Sequence, residues 1–239
     1  MTEIRNEKKI LITPVSEADI ASLKVGDVIY LDGEMVTGRD SVHGRVVEEG
    51  IPLPVDIQGK VIMHAGPIVK KCITADEKDD GKNGNGGNDC NSSNATCSSP
   101  YGSSTPRYEM VSIGPTTSMR MERFQYEFLR ETGARIIIGK GGMKEKTAAG
   151  CKEFGAVHCV MPAGNAVVGA SCVEEITGVH WLDLGAPEAV WECRVKEFGP
   201  LIVMIDATGR NYFEEKKLEY NKKKDEQIEA ISKQVHFIK

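Results

Sequence analysis

The sequence is poor in several things that would narrow its function at once. Its seven cysteines, Cys72, Cys90, Cys97, Cys151, Cys159, Cys172 and Cys193, include no C-x-x-C pair. An odd, scattered set makes no disulfide framework, and without paired spacing neither a zinc nor an iron–sulfur site is expected on this chain alone. No apolar run approaches the roughly 18 residues of a membrane span. The opening MTEIRNEKKILITPV carries acidic residues and no long apolar segment, so no secretory leader is expected and a cytoplasmic location is the default. Basic residues are not in excess: 30 Lys and Arg stand against 35 Asp and Glu, a net charge of −5. That disfavours nucleic acid as the main partner, because phosphate binding needs a basic face. Aromatics make up only 6%, yet 40% hydrophobic residues in a chain of 239 suffice for a proper core.

What is present is an α/β rhythm. KKILITP reads as a buried strand over Ile10 to Thr13, and Ser16 with Asp19 three residues on marks a capped helix start. DVIYLDGEMVTG reads as a hairpin turning at Asp32-Gly33. GRDSVHGRVVEEG reads as a helix with Val42, Val46 and Val47 on one face, ended by Gly50. GKVIMHAGPIV is a strand stopped by Gly66-Pro67. From about Thr74 to Pro106 the chain turns to Gly, Asn, Ser and Asp; such a tract buries too little to offset its ordering entropy and is expected to be a disordered insertion. Its two Asn-x-Ser/Thr triplets are taken as chance. RYEMVSIG is then a strand, SMRMERFQYEFLRETG a helix ended by Gly133, ARIIIGKGG a strand, KEKTAAGCKEFG a helix and AVHCVMPAG a strand. NAVVGASCVEEI fits a helix or a strand. PEAVWECRV reads as helical, GPLIVMID as a strand, and the mixed-charge run near the end as a solvated helix. There is no internal repeat.

Three places carry candidate chemistry. Thr116, Thr117 and Ser118 stand where a strand gives way to a helix. They serve as caps, or also help bind an anion together with Arg120, whose planar fork suits a carboxylate. The GKGG run fails as a phosphate loop: five residues separate Gly133 from Gly139 where four are needed, and residue 141 is Gly, so no hydroxyl follows Lys140. What remains is a lysine at a strand end. Arg39-Asp40, with His43 three residues on, lies between a strand and a helix start. Cations and hydroxyls at strand ends, where open α/β folds collect ligands, fit a small dicarboxylate better than a nucleotide.

GPTTSMRME, GKGGM, TGRDSVH, HAGPIV and RVKEFGPLIVMID together resemble the family of L(+)-tartrate dehydratase β subunits and iron–sulfur class I fumarases. The resemblance covers nearly the whole chain except the extreme N-terminus and the Asn/Gly/Ser tract. It implies a single swivelling β/β/α domain with a mixed sheet and flanking helices. It implies a hydro-lyase that reversibly removes water from a four-carbon hydroxydicarboxylate, L(+)-tartrate to oxaloacetate, with fumarate/malate as the alternative. A [4Fe-4S] cluster would be held by three cysteines of a partner α subunit, in a heterodimer or heterotetramer. By the same resemblance Arg39, Thr117, Arg120 and Lys140 bind substrate, and Thr116 is the candidate base, supported by Asp40 and His43. A reading from another class is a dicarboxylate-binding module that performs no turnover.

Overall fold

In the computed structural model, residues 2–72 and 107–233 are described. The expected insertion at 74–106 falls outside them. Strand β1 (Thr2–Arg5) pairs antiparallel with β2 (Lys8–Ile12). Ser16 caps α1 (Glu17–Ala21) through a reciprocal box with Asp19. The long β3 (Val28–Thr37) runs parallel to β2 over its first half and to β4 (Val61–Met63) over its last residues. Helix α2 (Asp40–Val47) connects β3 towards β4. Beyond β4, strands β5 (Ile68–Cys72) and β6 (Arg107–Ser112) form a separate antiparallel pair.

The second half returns to the main sheet. Helix α3 (Gln125–Thr132) leads to β7 (Ile136–Gly139), and α4 (Glu145–Phe154) leads to β8 (Val157–Val160); both strands extend the parallel run from β4. Helix α5 (Ala166–Ser171) is followed by β9 (Val173–His180), so the ambiguous NAVVGASCVEEI contains one element of each kind. The last strand, β10 (Val190–Ile205), spans 16 residues and pairs antiparallel with β9, β8 and β3. Because β10 joins β8 to β3, the sheet closes on itself through β3, β4, β7, β8 and β10. Helix α6 (Tyr212–Ser232) buries no residue and carries Lys–Glu pairs along its surface, as expected of a solvated helix. Among the described residues no helix is long and apolar enough to cross a membrane.

Alternation along the strands divides the core into two layers. Val61, Met63, Ile136, Ile138, Val157 and Cys159 face the inside of the closed sheet with Leu31, Trp191, Cys193 and Phe198. Ile62 and Ile137 face outward against Val42, Val46, Phe128, Leu129 and Cys151 of the helices.

Three expectations need correction. Asp32-Gly33 does not turn the chain; β3 passes straight through it for ten residues. Gly33 takes φ +106°, and a Cβ there would strike the Thr13 hydroxyl, so the glycine admits a close approach within a strand. Asp32 accepts from the Glu197 backbone N–H at 2.7 Å and pairs with Arg5 at 3.1 Å. AVWECRV is not helical. Val190, Trp191, Cys193 and Val195 are buried while Arg194 is exposed, a strand alternation inside β10. The helix expected over SMRMERFQYEFLRET is broken: a 3₁₀ turn at Ser118–Met121 precedes α3. Ser118 is fully buried there, committed to a histidine described next.

Candidate active site

β3, β4 and β7 are parallel neighbours, so Arg39, His64 and Lys140 all lie just past C-terminal strand ends. The threonine loop crosses those ends and is laced to them by backbone bonds. Thr116 N–H donates to the His64 carbonyl at 2.6 Å, Lys140 N–H to the Thr116 carbonyl at 3.0 Å, and Ser118 N–H to the Lys140 carbonyl at 3.0 Å. Thr117 and Lys140 form an isolated parallel bridge, and Ala65 and Pro115 an antiparallel one. The loop thus acts as a short extra strand over the sheet's rim.

Side chains complete the grouping. Arg120, half exposed, reaches the start of α2: its Nε donates to Asp40 Oδ1 at 3.0 Å and its Nη2 lies 2.7 Å from Oδ2. Arg39 turns the other way along the rim, with Nε 3.1 Å from Glu188 Oε1, and rests against Gly66, where a Cβ would collide with its guanidinium. Glu188 Oε2 also accepts from the Ser41 backbone N–H at 3.1 Å, tying the segment before β10 to α2. Lys140 is exposed and has no ion-pair partner among the described residues, and the Thr116 and Thr117 hydroxyls accept or donate no hydrogen bond there. Thr117 occupies the cap position of the 3₁₀ turn without a side-chain cap bond, so capping does not explain its hydroxyl.

His43 is placed differently. It is fully buried, its Nδ1 lies 2.9 Å from the Arg39 carbonyl, and its ring stacks on Phe128 at 4.1 Å. Burial pushes its pKa down to about 4, so it is neutral at ordinary pH. It lies behind Arg39, sealed from solvent. The structure therefore gathers Arg39, Asp40, Thr116, Thr117, Arg120 and Lys140 on one rim and sets His43 beneath them. A cleft of about 350 Å³ lined by Asp40, Arg45, Glu48 and Arg123 borders the grouping at Asp40, and one of about 530 Å³ lined by Val46, Leu53, Glu127 and Thr132 includes none of its residues.

Sequence reasoning missed three residues here. Glu188 sat in a segment misread as helix. His64 stood inside HAGPIV, and its spacing to Ser118, 54 residues away, gives no local signal. In the sequence Gly139 reads only as part of a glycine turn that fails as a phosphate loop. Its real constraint is steric, since a Cβ would overlap the Ser118 hydroxyl and meet His64 Nδ1 at 3.1 Å.

Among the described residues the donors do not suit an iron–sulfur cluster. Among the described residues no three of His, Cys, Asp and Glu converge as metal ligands. Cys151, Cys159 and Cys193 are buried in the core, and burial raises all three thiols, Cys193 to about 12, away from the thiolate a metal needs.

Comparison with known proteins matches these elements. The Fumarase C-terminus family covers residues 2–85 and 101–216. The chain is 47% identical over 232 residues to the L(+)-tartrate dehydratase subunit beta of Escherichia coli K12, covering 97% of this chain and 100% of that protein. It is 36% identical over 221 residues to a putative L(+)-tartrate dehydratase subunit beta of Methanocaldococcus jannaschii, covering 91% and 95%. It is 34% identical over 212 residues to a putative fumarate hydratase class I of Geobacillus stearothermophilus, covering 88% of this chain but 35% of that longer protein. The matched regions contain all the strand ends and loops that build the rim, and the chain belongs to the Fumarase C-terminus family.

Proposed function

We propose that this chain is the β subunit of a hydro-lyase that reversibly removes water from a four-carbon hydroxydicarboxylate, with L(+)-tartrate converted to oxaloacetate. The observation that carries the reading is the lacing of Thr116 and Ser118 to Lys140, with Arg120 reaching across to Asp40. It sets two free hydroxyls and three cations on one rim. Loss of water takes a proton from a carbon next to a carboxylate and a hydroxide from its neighbour. In this reading Arg39 and Arg120 hold the carboxylates, and Lys140 offsets the negative charge that develops as the proton leaves. The surrounding cations make the Thr116 hydroxyl more acidic, so that it gives its own proton to solvent and, as the alkoxide, takes the proton from carbon, while Thr117 hydrogen-bonds the substrate. Asp40 fixes Arg120, and His43 supports Arg39 from behind.

The partner in this reading is an α subunit in the cytoplasm that holds the [4Fe-4S] cluster, together forming a heterodimer or heterotetramer. The second reading, fumarate and malate, is favoured by the likeness to the Geobacillus protein, whose name is that of a fumarate hydratase. Anaerobic co-expression with a cysteine-bearing partner, followed by side-by-side assays on tartrate and malate, separates the two. In that assembly Arg120→Ala or Lys140→Ala should lower kcat/KM by about 10²–10³ with the fold intact. Near-normal turnover in either variant overturns the site. Tight dicarboxylate binding by the isolated chain, with no turnover beside any partner, would instead favour a binding module.

A further inference from the structure

Beneath the rim lies a group of buried polar side chains of which the proposed chemistry uses only His43. Ser118, His64, Gln125, His43 and His158 are each wholly inaccessible to solvent. His64 Nδ1 lies 3.1 Å from Ser118 Oγ, and His43 Nδ1 lies 2.9 Å from the Arg39 carbonyl. The two rings meet edge to face with centroids 5.1 Å apart. The Gln125 amide lies beside both imidazoles. Yet Nε2 of His43, Nε2 of His64 and both polar atoms of Gln125 close no well-formed hydrogen bond. Four buried polar atoms left unpaired within one small group are costly, and each has its natural partner among the other three.

Their direction can be worked out from one end. A carbonyl only accepts, so His43 must carry its proton on Nδ1 and donate to Arg39. Its Nε2 is then an acceptor and takes a bond from the Gln125 NH₂. The Gln125 carbonyl oxygen is left to accept, which requires His64 to be protonated on Nε2. His64 Nδ1 is then an acceptor, and Ser118 must donate its hydroxyl proton to it.

We propose that Ser118, His64, Gln125 and His43 form a one-way hydrogen-bonded chain that locks the threonine loop to the backbone of Arg39, as positioning residues for the rim. This rests on the reading of the rim as a substrate site. His64 holds the loop twice, by its ring to Ser118 and by its carbonyl to the Thr116 N–H. Gly139 leaves the space in which the Ser118–His64 bond is made. An imidazolium at either ring would present two donors and break the direction. Burial opposes that: it holds the His64 pKa well below its ordinary value, with His43 and His158 nearby lowering it further and Gln125 offsetting only part, and at His43 the Arg39 carbonyl, Asp40 and Gln125 together only partly offset burial. His158 has neither nitrogen bonded and stands outside the chain.

The test reads tautomers directly. The full chain, labelled with ¹⁵N-histidine, is examined by long-range ¹H–¹⁵N spectra at pH 7, with signals assigned through single histidine variants. The expected result is His43 protonated on Nδ1 and His64 on Nε2, in one sample. The same tautomer at both, or an imidazolium at either, overturns the chain. Gln125→Leu, assayed with the partner subunit, should raise KM for the dicarboxylate about tenfold, with a smaller change in kcat, and shift both histidine signals. Unchanged KM and signals also overturn it. The wild-type spectrum decides alone if Gln125→Leu does not fold, and it decides whatever the substrate proves to be.

Discussion

Gly139 and Gly141 show how differently two glycines of one loop are constrained. Gly139 has no room for a methyl group, because Ser118 Oγ occupies the place. At Gly141 a methyl group would meet nothing within 4 Å, but the backbone there holds φ +78°. Gly139→Ala should therefore destabilise the chain by about 1–3 kcal/mol through overpacking and disrupt turnover, whereas Gly141→Ala should cost about 1–2 kcal/mol of left-handed strain and leave turnover much closer to normal. Urea unfolding and assays of the assembled enzyme check both. The buried histidines give a second expectation. His43 and His158 have folded pKa values lowered to about 4, and His64 is lowered as well, from an ordinary value near 6.5. Between about pH 6.5 and 4 the unfolded chain binds protons that the folded chain refuses. Stability is therefore present above pH 6.5 and falls with acidification, by up to about 1.4 kcal/mol per pH unit for each such histidine. The His158 ring makes no hydrogen bond, so His158→Leu should flatten that slope when unfolding is compared at pH 7 and pH 5.

At the level of elements, the segment before β10 is the part of the rim farthest away in sequence. Glu188 reaches Arg39 and the first turn of α2 from 149 positions along the chain, by the numbering of the two residues. Glu188→Gln keeps the hydrogen-bonding shape but removes the charge; it should raise KM about tenfold with little change in the thermal midpoint, seen in steady-state kinetics beside a melting curve. The elements that sequence revealed were those with local rules: the Ser16–Asp19 cap, the Val42–Val46 face of α2, the Gly133 stop after α3, and the short apolar strands β7 and β8. Those it concealed depend on distant partners. Asp32-Gly33 is a turn signal in isolation, but Thr13 and the Glu197 N–H claim it for a strand. Trp191, Cys193 and Val195 show their alternation only against the interior that the whole closed sheet creates. The rim residues were visible because hydroxyls and cations at strand ends are visible. Glu188, His64 and Gln125 were not, since contact partners far apart in the chain leave no spacing to read.

For the molecule as a whole, charge sets what this chain can do alone. Of the three rim cations, Arg39 and Arg120 already face Glu188 and Asp40, which leaves one net positive charge. A rim with that charge is a poor host for a dianion, so the isolated chain should bind tartrate or malate no tighter than about 1 mM; calorimetry on the chain with and without its partner measures this. A submillimolar affinity for the isolated chain would contradict the shared-site reading. The closed sheet has a different bearing, on biosynthesis. Among the described residues, the strand that welds β3 to β8 is the last in chain order, and it ends at Ile205. A ribosome delivering the chain from its amino end therefore exposes two unpaired edges until residues 190–205 have emerged. Nascent chains stalled before residue 190 should recruit chaperones, and those stalled far enough past residue 205 to free it from the exit tunnel should not.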